Sequence, residues 1–191
     1  MLEEYIDFVT SLFPCISPYM QERAKECIRQ FYVLHTEFPC FTPDLIPDLN
    51  QGDIVSTLPF RRYDNEGDEE EYVTDGLIIS NSCDIENDDQ ILIAPFFPIS
   101  ELGLDLKNLK NNAYFSLLFF PDNRYSNHVA DLSLISPFPK KVIQTKLADG
   151  TIKKKFSLNQ VGYYLLISKI TVHLLRPEDT TVQSLRDSKS A

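Results

Sequence analysis

Three prolines within nine residues divide this sequence into two parts that follow different patterns. Pro39, Pro43 and Pro47 fall where a stretch of helical periodicity gives way to short apolar runs. Proline fixes φ and has no backbone N–H to donate, so a regular helix or strand does not continue through such a segment. We therefore predict a linker at 39–47, a helical N-terminal extension at 1–38 and a separate domain after the linker.

The extension carries the pattern of an amphipathic helix over residues 17–37. Ser17 and Pro18 suit the N-cap and first turn, and apolar residues then recur at steps of three and four. The apolar positions are Met20, Ala24, Cys27, Ile28, Phe31 and Leu34. Because a helix of this length needs a surface that covers its apolar stripe, we expect it to form part of an interface and the working protein to be other than a monomer.

The residues after the linker read as a mainly β domain, a small barrel over about 48–176 followed by a polar tail at 177–191. Short apolar runs separated by turn residues are typical of such barrels. The predicted strands are Gly52–Leu58, Gly76–Ser80, Gln90–Pro95, Tyr114–Phe120 and Val129–Ser136, with a helical turn within Leu104–Asn111. The acidic stretch 61–75 reads as a solvated loop.

Two later segments add to the predicted β-structure. Asp149-Gly150 is typical of a two-residue hairpin turn, and it predicts strands at 141–147 and 151–158 on either side. Residues 161–175 are apolar and ambiguous; Tyr163–Ile167 favours a strand, although fifteen residues is long for one.

Charge is distributed unevenly along the chain, whose formal net charge is −10. Residues 1–100 hold 5 Lys or Arg against 20 Asp or Glu, whereas residues 137–170 hold 7 against 1. An acidic body argues against general nucleic-acid binding, since phosphate contact depends on cationic neutralisation. The basic segment predicts either a lysine-protected edge hairpin or a local surface for a partner or RNA. The lysines of that predicted surface are Lys140, Lys141, Lys153, Lys154 and Lys155.

Composition also predicts a cytoplasmic protein with no membrane partner. No apolar stretch approaches the roughly 20 residues that span a bilayer, and the first residues are acidic where a secretory signal is basic. The four cysteines lack CxxC spacing, and neither a metal site nor a glycine-rich phosphate loop is recognisable. We therefore expect no cofactor.

Four segments, in order, resemble the MazF/PemK family of toxin barrels over about residues 50–145. Gly52-Asp53-Ile54-Val55 resembles the first strand of that family, Gly76–Asn81 the second and Ile91–Phe96 the third. His128-Val129, followed by Asp131, resembles a later family segment.

The resemblance implies an SH3-like barrel that pairs with a second copy or a protein partner. Toxins of this family cleave single-stranded RNA without a metal, using an arginine just before the second strand and a threonine or serine after the third. Here residues 72–76 contain no arginine, and Ser100 is the hydroxyl that follows the third strand. Arg61, Arg62 and Arg124 are the candidates for an arginine supplied to the site from elsewhere in the chain.

The sequence leaves three functions open. The first is an interaction module of a bacterial toxin–antitoxin or phage-defence system, which binds a protein partner and RNA with weak or no catalysis. The second is a metal-independent endoribonuclease with a relocated arginine. The third is a cysteine-dependent enzyme, in which Cys83, next to Asp84 at the end of a predicted strand, is activated by His128; a structural turn at 80–85 is the alternative for this segment.

Overall fold

A computed structural model describes residues 39–64, 66–174 and 180–187. The predicted helix at 17–37, with the rest of the extension at 1–38, lies outside these residues. The described residues form seven strands: β1 Ile54–Tyr63, β2 Glu69–Ile78, β3 Gln90–Pro98, β4 Leu117–Phe119, β5 His128–Asp131, β6 Ser136–Pro139 and β7 Lys154–Phe156. The same part of the chain contains five α-helices: α1 Ser82–Asn87, α2 Leu106–Lys110, α3 Lys140–Ala148, α4 Gln160–Leu174 and α5 Thr180–Asp187.

The strands form one mainly antiparallel sheet in the order β4-β5-β3-β2-β1-β7, and β6 pairs with β3 beside β5. The strands predicted at Gly52–Leu58, Gly76–Ser80 and Gln90–Pro95 are confirmed as parts of β1, β2 and β3. These three strands are neighbours in the sheet, with Ile54 opposite Leu77 and Leu77 opposite Ala94. The sheet does not close into a barrel among the described residues, because β4 and β7 at its two ends do not pair.

The acidic stretch at 61–75 is not a loop, and that prediction is wrong. Its residues form most of a long β1–β2 hairpin, in which Arg61 lies opposite Glu71 and Arg62 opposite Glu70. Opposite charges that face each other across two strands stabilise the pair. The other support is the inner face, where the rings of Phe60 and Tyr72 stack with their centroids 5.8 Å apart.

The hairpin predicted around Asp149-Gly150 is also wrong, because residues 140–148 form α3. Lysine, glutamine, leucine and alanine favour a helix, and Ile143 is the helix residue buried against the core. Gly150, at φ +77°, ends the helix in the left-handed conformation that glycine adopts without strain. Asp149-Gly150 therefore ends a helix, and of the two strands predicted around it only the short β7 is formed.

Residues 160–174 are helical rather than extended, so the strand favoured at Tyr163–Ile167 is wrong too. Gly162, Tyr164 and Leu166 are buried in α4. A helix that is apolar on most sides has no clear period to distinguish it from a buried strand. Beyond it, residues 180–187 of the predicted polar tail form α5. No helix among the described residues is long and apolar enough to cross a bilayer.

The main core lies between the sheet, α4 and the segment at 39–47. Cys40 and Phe41 are 0% and 2% exposed, and Phe41 pairs with Leu158 in an isolated bridge. The ring of Phe41 stacks on Phe156 with the centroids 4.8 Å apart. The start of the predicted linker is thus built into the core of the domain that it precedes.

Candidate functional site

Arg124, a predicted candidate catalytic residue, joins the turn before β5 to the segment at 39–42. Its guanidinium donates hydrogen bonds to Asp122 and to the backbone carbonyls of Phe41 (2.8 Å) and Thr42 (3.0 Å). Asp122 also accepts a hydrogen bond from the backbone N–H of Cys40 at 2.8 Å. Burial alone raises the pKa of Asp122, but the hydrogen bonds from Arg124 and Cys40 outweigh it and hold that pKa at about 2.

Arg61 and Arg62 are also paired with carboxylates of their own hairpin. Arg61 lies 3.3 Å from Glu69 and 2.6 Å from Glu71 on the outer face of the hairpin. Arg62 lies 2.7 Å from Glu70 on the inner face, with its guanidinium over the ring of Tyr72. Both arginines lie towards the turn end of the hairpin, opposite Glu70 and Glu71, whereas Gly76 lies opposite Val55 at the other end.

A cation does reach the position directly before Gly76, and it comes from β7. Lys155 Nζ lies 2.7 Å from Asp75 Oδ2, and the hydroxyl of Tyr125 donates to the same oxygen at 2.6 Å. The ring of Tyr125 stacks on His128 with the centroids 4.8 Å apart. We call Asp75, Tyr125, His128 and Lys155 the Asp75 cluster.

The environment of the Asp75 cluster shifts two of its pKa values. Burial, followed by the hydrogen bond to Asp75, raises the pKa of Tyr125. Burial also lowers the pKa of His128; Lys155 lowers it further, while Asp75 and Glu101 act in the opposite direction. The surroundings of the imidazole therefore favour its neutral form.

Of the predicted basic surface, two lysines are engaged inside the domain. Lys154 Nζ lies 2.7 Å from the buried carboxylate of Asp53. Burial raises the pKa of Asp53, and the hydrogen bond from Lys154 acts in the opposite direction. Lys155 belongs to the Asp75 cluster. Lys140 donates to the carbonyl of Glu86 at 3.0 Å, and Lys141 and Lys153 are exposed. These lysines are divided between the start of α3 and the segment 153–155, which includes the first two residues of β7, so they do not form the predicted basic hairpin.

Cys83 and His128 lie at opposite ends of β3. Cys83 is an exposed residue of α1, a short helix capped by the Asn81 side chain, which accepts from the Cys83 N–H. The adjoining Ser80 bonds to Leu92, whereas His128 pairs with Pro98. Six residues of strand correspond to roughly 20 Å. The structure does not bring this pair together, and Asp84 is exposed beside Cys83.

Ser100 and His128, which were predicted separately, line one cavity of about 440 Å³ between the end of β3, α2 and the turn before β5. Sequence reasoning missed Asp75 and Tyr125 as members of the neighbouring cluster. The one local signal was the place of Asp75 immediately before Gly76. Among the described residues, no group of three His, Cys, Asp or Glu is arranged to hold a metal ion.

No protein-family model matches the chain, and no curated protein is significantly similar to it.

Proposed function

We propose that this chain is an interaction module of a bacterial toxin–antitoxin or phage-defence system, which binds a protein partner and cleaves RNA weakly or not at all. The proposal includes a relation to the MazF/PemK-like, SH3-like toxin barrels, in which an open sheet replaces the closed barrel. Support for that relation is the neighbouring position of the three strands that carry the resembling segments, β1, β2 and β3.

The observation that carries the proposal is the pairing of each candidate catalytic cation with a carboxylate of this chain. Arg61 is paired with Glu69 and Glu71, Arg62 with Glu70, and Arg124 with Asp122. Catalysis of phosphoryl transfer depends on a cation aimed at the charge that develops on the phosphate. An RNA phosphate would have to displace a carboxylate from any of these arginines, and we expect little cleavage for that reason.

The outer face of the β1–β2 hairpin is the proposed partner surface. Tyr63 is 74% exposed and Val73 is 64% exposed, with Arg61 between them on the same face. Tyrosine and arginine are prominent among the residues that dominate protein–protein binding. Because the hairpin and its turn carry more acidic than basic residues, we propose a partner with a basic surface, whose association electrostatic attraction would accelerate.

A second candidate is the metal-independent endoribonuclease, with Lys155 in place of the arginine. It is favoured by the contact of Lys155 with the residue directly before Gly76 and by the nearby imidazole of His128. The cysteine-dependent enzyme is not carried forward, because Cys83 and His128 lie at opposite ends of β3.

The two candidates give different results with purified protein and single-stranded RNA in the presence of EDTA. The interaction module predicts cleavage far slower than that of an active toxin of the family, with no further loss in Lys155→Met. Efficient cleavage that Lys155→Met abolishes, while Lys153→Met leaves it intact, would establish the second candidate instead.

Partner binding is tested by copurification from the native host followed by binding of the purified partner. A Tyr63→Ser, Val73→Ser double variant is expected to weaken binding by tenfold or more. Val142→Ser, which changes an exposed apolar residue on α3, is the matched control and is expected to bind normally. Equal binding by all three proteins would exclude the hairpin as the partner surface.

A further inference from the structure

The cavity that contains Ser100 and His128 brings several polar side chains together on its lining. Ser100, Lys110, Ser126 and Asn127 line it, and none of these four side chains has a hydrogen-bond or ion-pair partner among the described residues. The arginines of the hairpin and of the Asp122 turn, by contrast, are matched with carboxylates. A convergence of unengaged donors around a cavity is typical of a binding site.

The wall that carries Lys110 is held in place by contacts on both sides. Asp105 caps α2 by accepting from Asn108 N at 2.7 Å, and Leu109 is buried. The side chain of Asn112 exchanges two hydrogen bonds with the backbone of Phe119, at 2.7 and 2.9 Å. Lys169 of α4 donates to the carbonyls of Asn112 and Tyr114. The ammonium group of Lys110 is therefore attached to a fixed support, although its own side chain is exposed.

The opposite wall is part of the sheet. Pro98 pairs with His128, and the N–H of Ile99 donates to the carbonyl of Asn127 at 2.9 Å. Tyr125 stacks behind the imidazole of His128 and fixes the plane of that ring. The cavity is thus formed between two supported elements and does not depend on a loop tip.

The chemistry of the lining divides into two parts. Lys110 and the hydroxyls of Ser100 and Ser126 suit an anion such as phosphate. Pro98, Ile99 and Leu106 offer an apolar surface for a flat ring. The Asn127 amide, which also lines the cavity, both donates and accepts, and it is suited to the polar edge of a base.

We propose that this cleft, between the end of β3 and α2, binds a single nucleotide, with its phosphate at Lys110 and its base against Ile99 and Leu106. A volume of about 440 Å³ is within the range of small-molecule sites and is sufficient for one nucleotide. The bound nucleotide could be a free mononucleotide or one nucleotide of an RNA strand, because both have the same phosphate and base. The inference goes beyond the proposed protein-binding function and does not depend on it.

Titration calorimetry of the 191-residue chain with AMP, GMP, CMP and UMP tests the proposal. At least one mononucleotide is expected to bind, and the matching nucleoside without phosphate is expected to bind at least tenfold more weakly. Lys110→Gln is expected to reduce mononucleotide affinity by tenfold or more. Lys107→Gln removes a lysine of the same helix that does not line the cavity, and it is expected to bind like the unchanged protein.

A trinucleotide with the preferred base distinguishes the two sources of the ligand. Tighter binding of the trinucleotide, lost equally in Lys110→Gln, identifies a strand of RNA as the ligand, and equal binding identifies the free nucleotide. Absence of mononucleotide and trinucleotide binding at millimolar concentration, or equal losses in Lys110→Gln and Lys107→Gln, would overturn the proposal. The Tyr63→Ser, Val73→Ser variant is expected to retain nucleotide binding, so failure of one proposal is distinguishable from failure of the other.

Discussion

Arg124 contributes to the fold through hydrogen bonds that connect two distant parts of the chain. We expect Arg124→Ala to lower the free energy of unfolding by about 2 to 3 kcal/mol, because it leaves the buried carboxylate of Asp122 without its charged partner. Arg62→Ala removes an exposed ion pair and is expected to cost less than about 1 kcal/mol. Urea denaturation at pH 7 compares the two variants. Similar costs for both would contradict the structural role of Arg124.

The Asp122 pair also gives the fold a defined sensitivity to acid. Because the folded-state pKa of Asp122 is about 2, below its usual 3.8, the ionised carboxylate stabilises the fold above pH 4. That contribution, about 2 kcal/mol, is lost as the pH falls from 4 towards 2. Urea denaturation between pH 2 and 5 is expected to show this loss in the unchanged protein and a smaller one in Arg124→Ala. If the free energy of unfolding fell by the same amount with pH in both proteins, a group other than Asp122 would be responsible for the loss of stability in acid.

Cys83 and Cys40 provide a second comparison between residues. Cys83 is exposed, whereas burial of Cys40 raises the pKa of its thiol to about 12. At pH 7.5, iodoacetamide is expected to label Cys83 at the rate of an ordinary exposed thiol and to leave Cys40 unmodified until the protein is unfolded. Peptide mass spectrometry measures both rates. Rapid labelling of Cys83 that is lost in His128→Ala would contradict the separation of these residues along β3.

At the scale of elements, α4 packs closely against the chain at Cys40. A Cβ atom placed on Gly162 would lie 2.2 Å from the Cys40 carbonyl oxygen. Alanine normally stabilises a helix interior by roughly 1 kcal/mol relative to glycine. Here the backbone at Cys40 or in α4 would have to move to make room for the methyl group. Gly162→Ala is therefore expected to lower the free energy of unfolding by about 3 kcal/mol or more. Thermal unfolding tests this.

Gly150→Ala is the control, because a Cβ atom there meets nothing within 4 Å and only the positive φ is unfavourable. We expect a loss of about 1 kcal/mol. A larger loss at Gly150 than at Gly162 would contradict the close contact between α4 and Cys40.

The elements that the sequence predicts are those whose patterns depend on local residues. The starts of β1 and β3 combine apolar runs with adjacent turn residues. The helical turn at α2 is likewise indicated by residues that are close together in the chain. The β1–β2 hairpin was missed because its stabilising charge pairs, such as Arg61 with Glu71, appear only after the strands are aligned. In α4 the period is obscured by burial on several sides, so strand and helix are equally compatible with the sequence.

The same reasoning explains how much of the candidate site could be predicted. His128, Lys155 and Ser100 were identified as single residues by their chemistry and by the resemblance. Their partners were not, because Asp75 and Tyr125 are 50 residues apart in the chain and Asp75 and Lys155 are 80 apart. No local pattern encodes a contact over that separation, and the sheet order that creates it also depends on elements that were assigned wrongly.

At the scale of the whole molecule, the N-terminal extension remains the predicted source of association. Removal of residues 1–38 is expected to convert an associating chain into a monomer while the circular dichroism of the domain is kept, because Cys40 and Phe41 stay in the core. The net charge of −10 and the basic segment at 137–170 also predict that association weakens with salt. Sedimentation velocity at low and high salt measures both effects. A monomeric 191-residue chain at every salt concentration would contradict the prediction.

The contact of Phe41 with Leu158 has a consequence for how the protein is made. During synthesis the first of these residues leaves the ribosome 117 residues before the second, and Leu166 of the same core follows later still. Until then the apolar faces of β1, β2 and β3 have no complete core to pack in, and an isolated hairpin is only marginally stable in water. The nascent chain is therefore exposed to aggregation for most of its translation, and its yield in cells should depend on the chaperones that bind emerging chains.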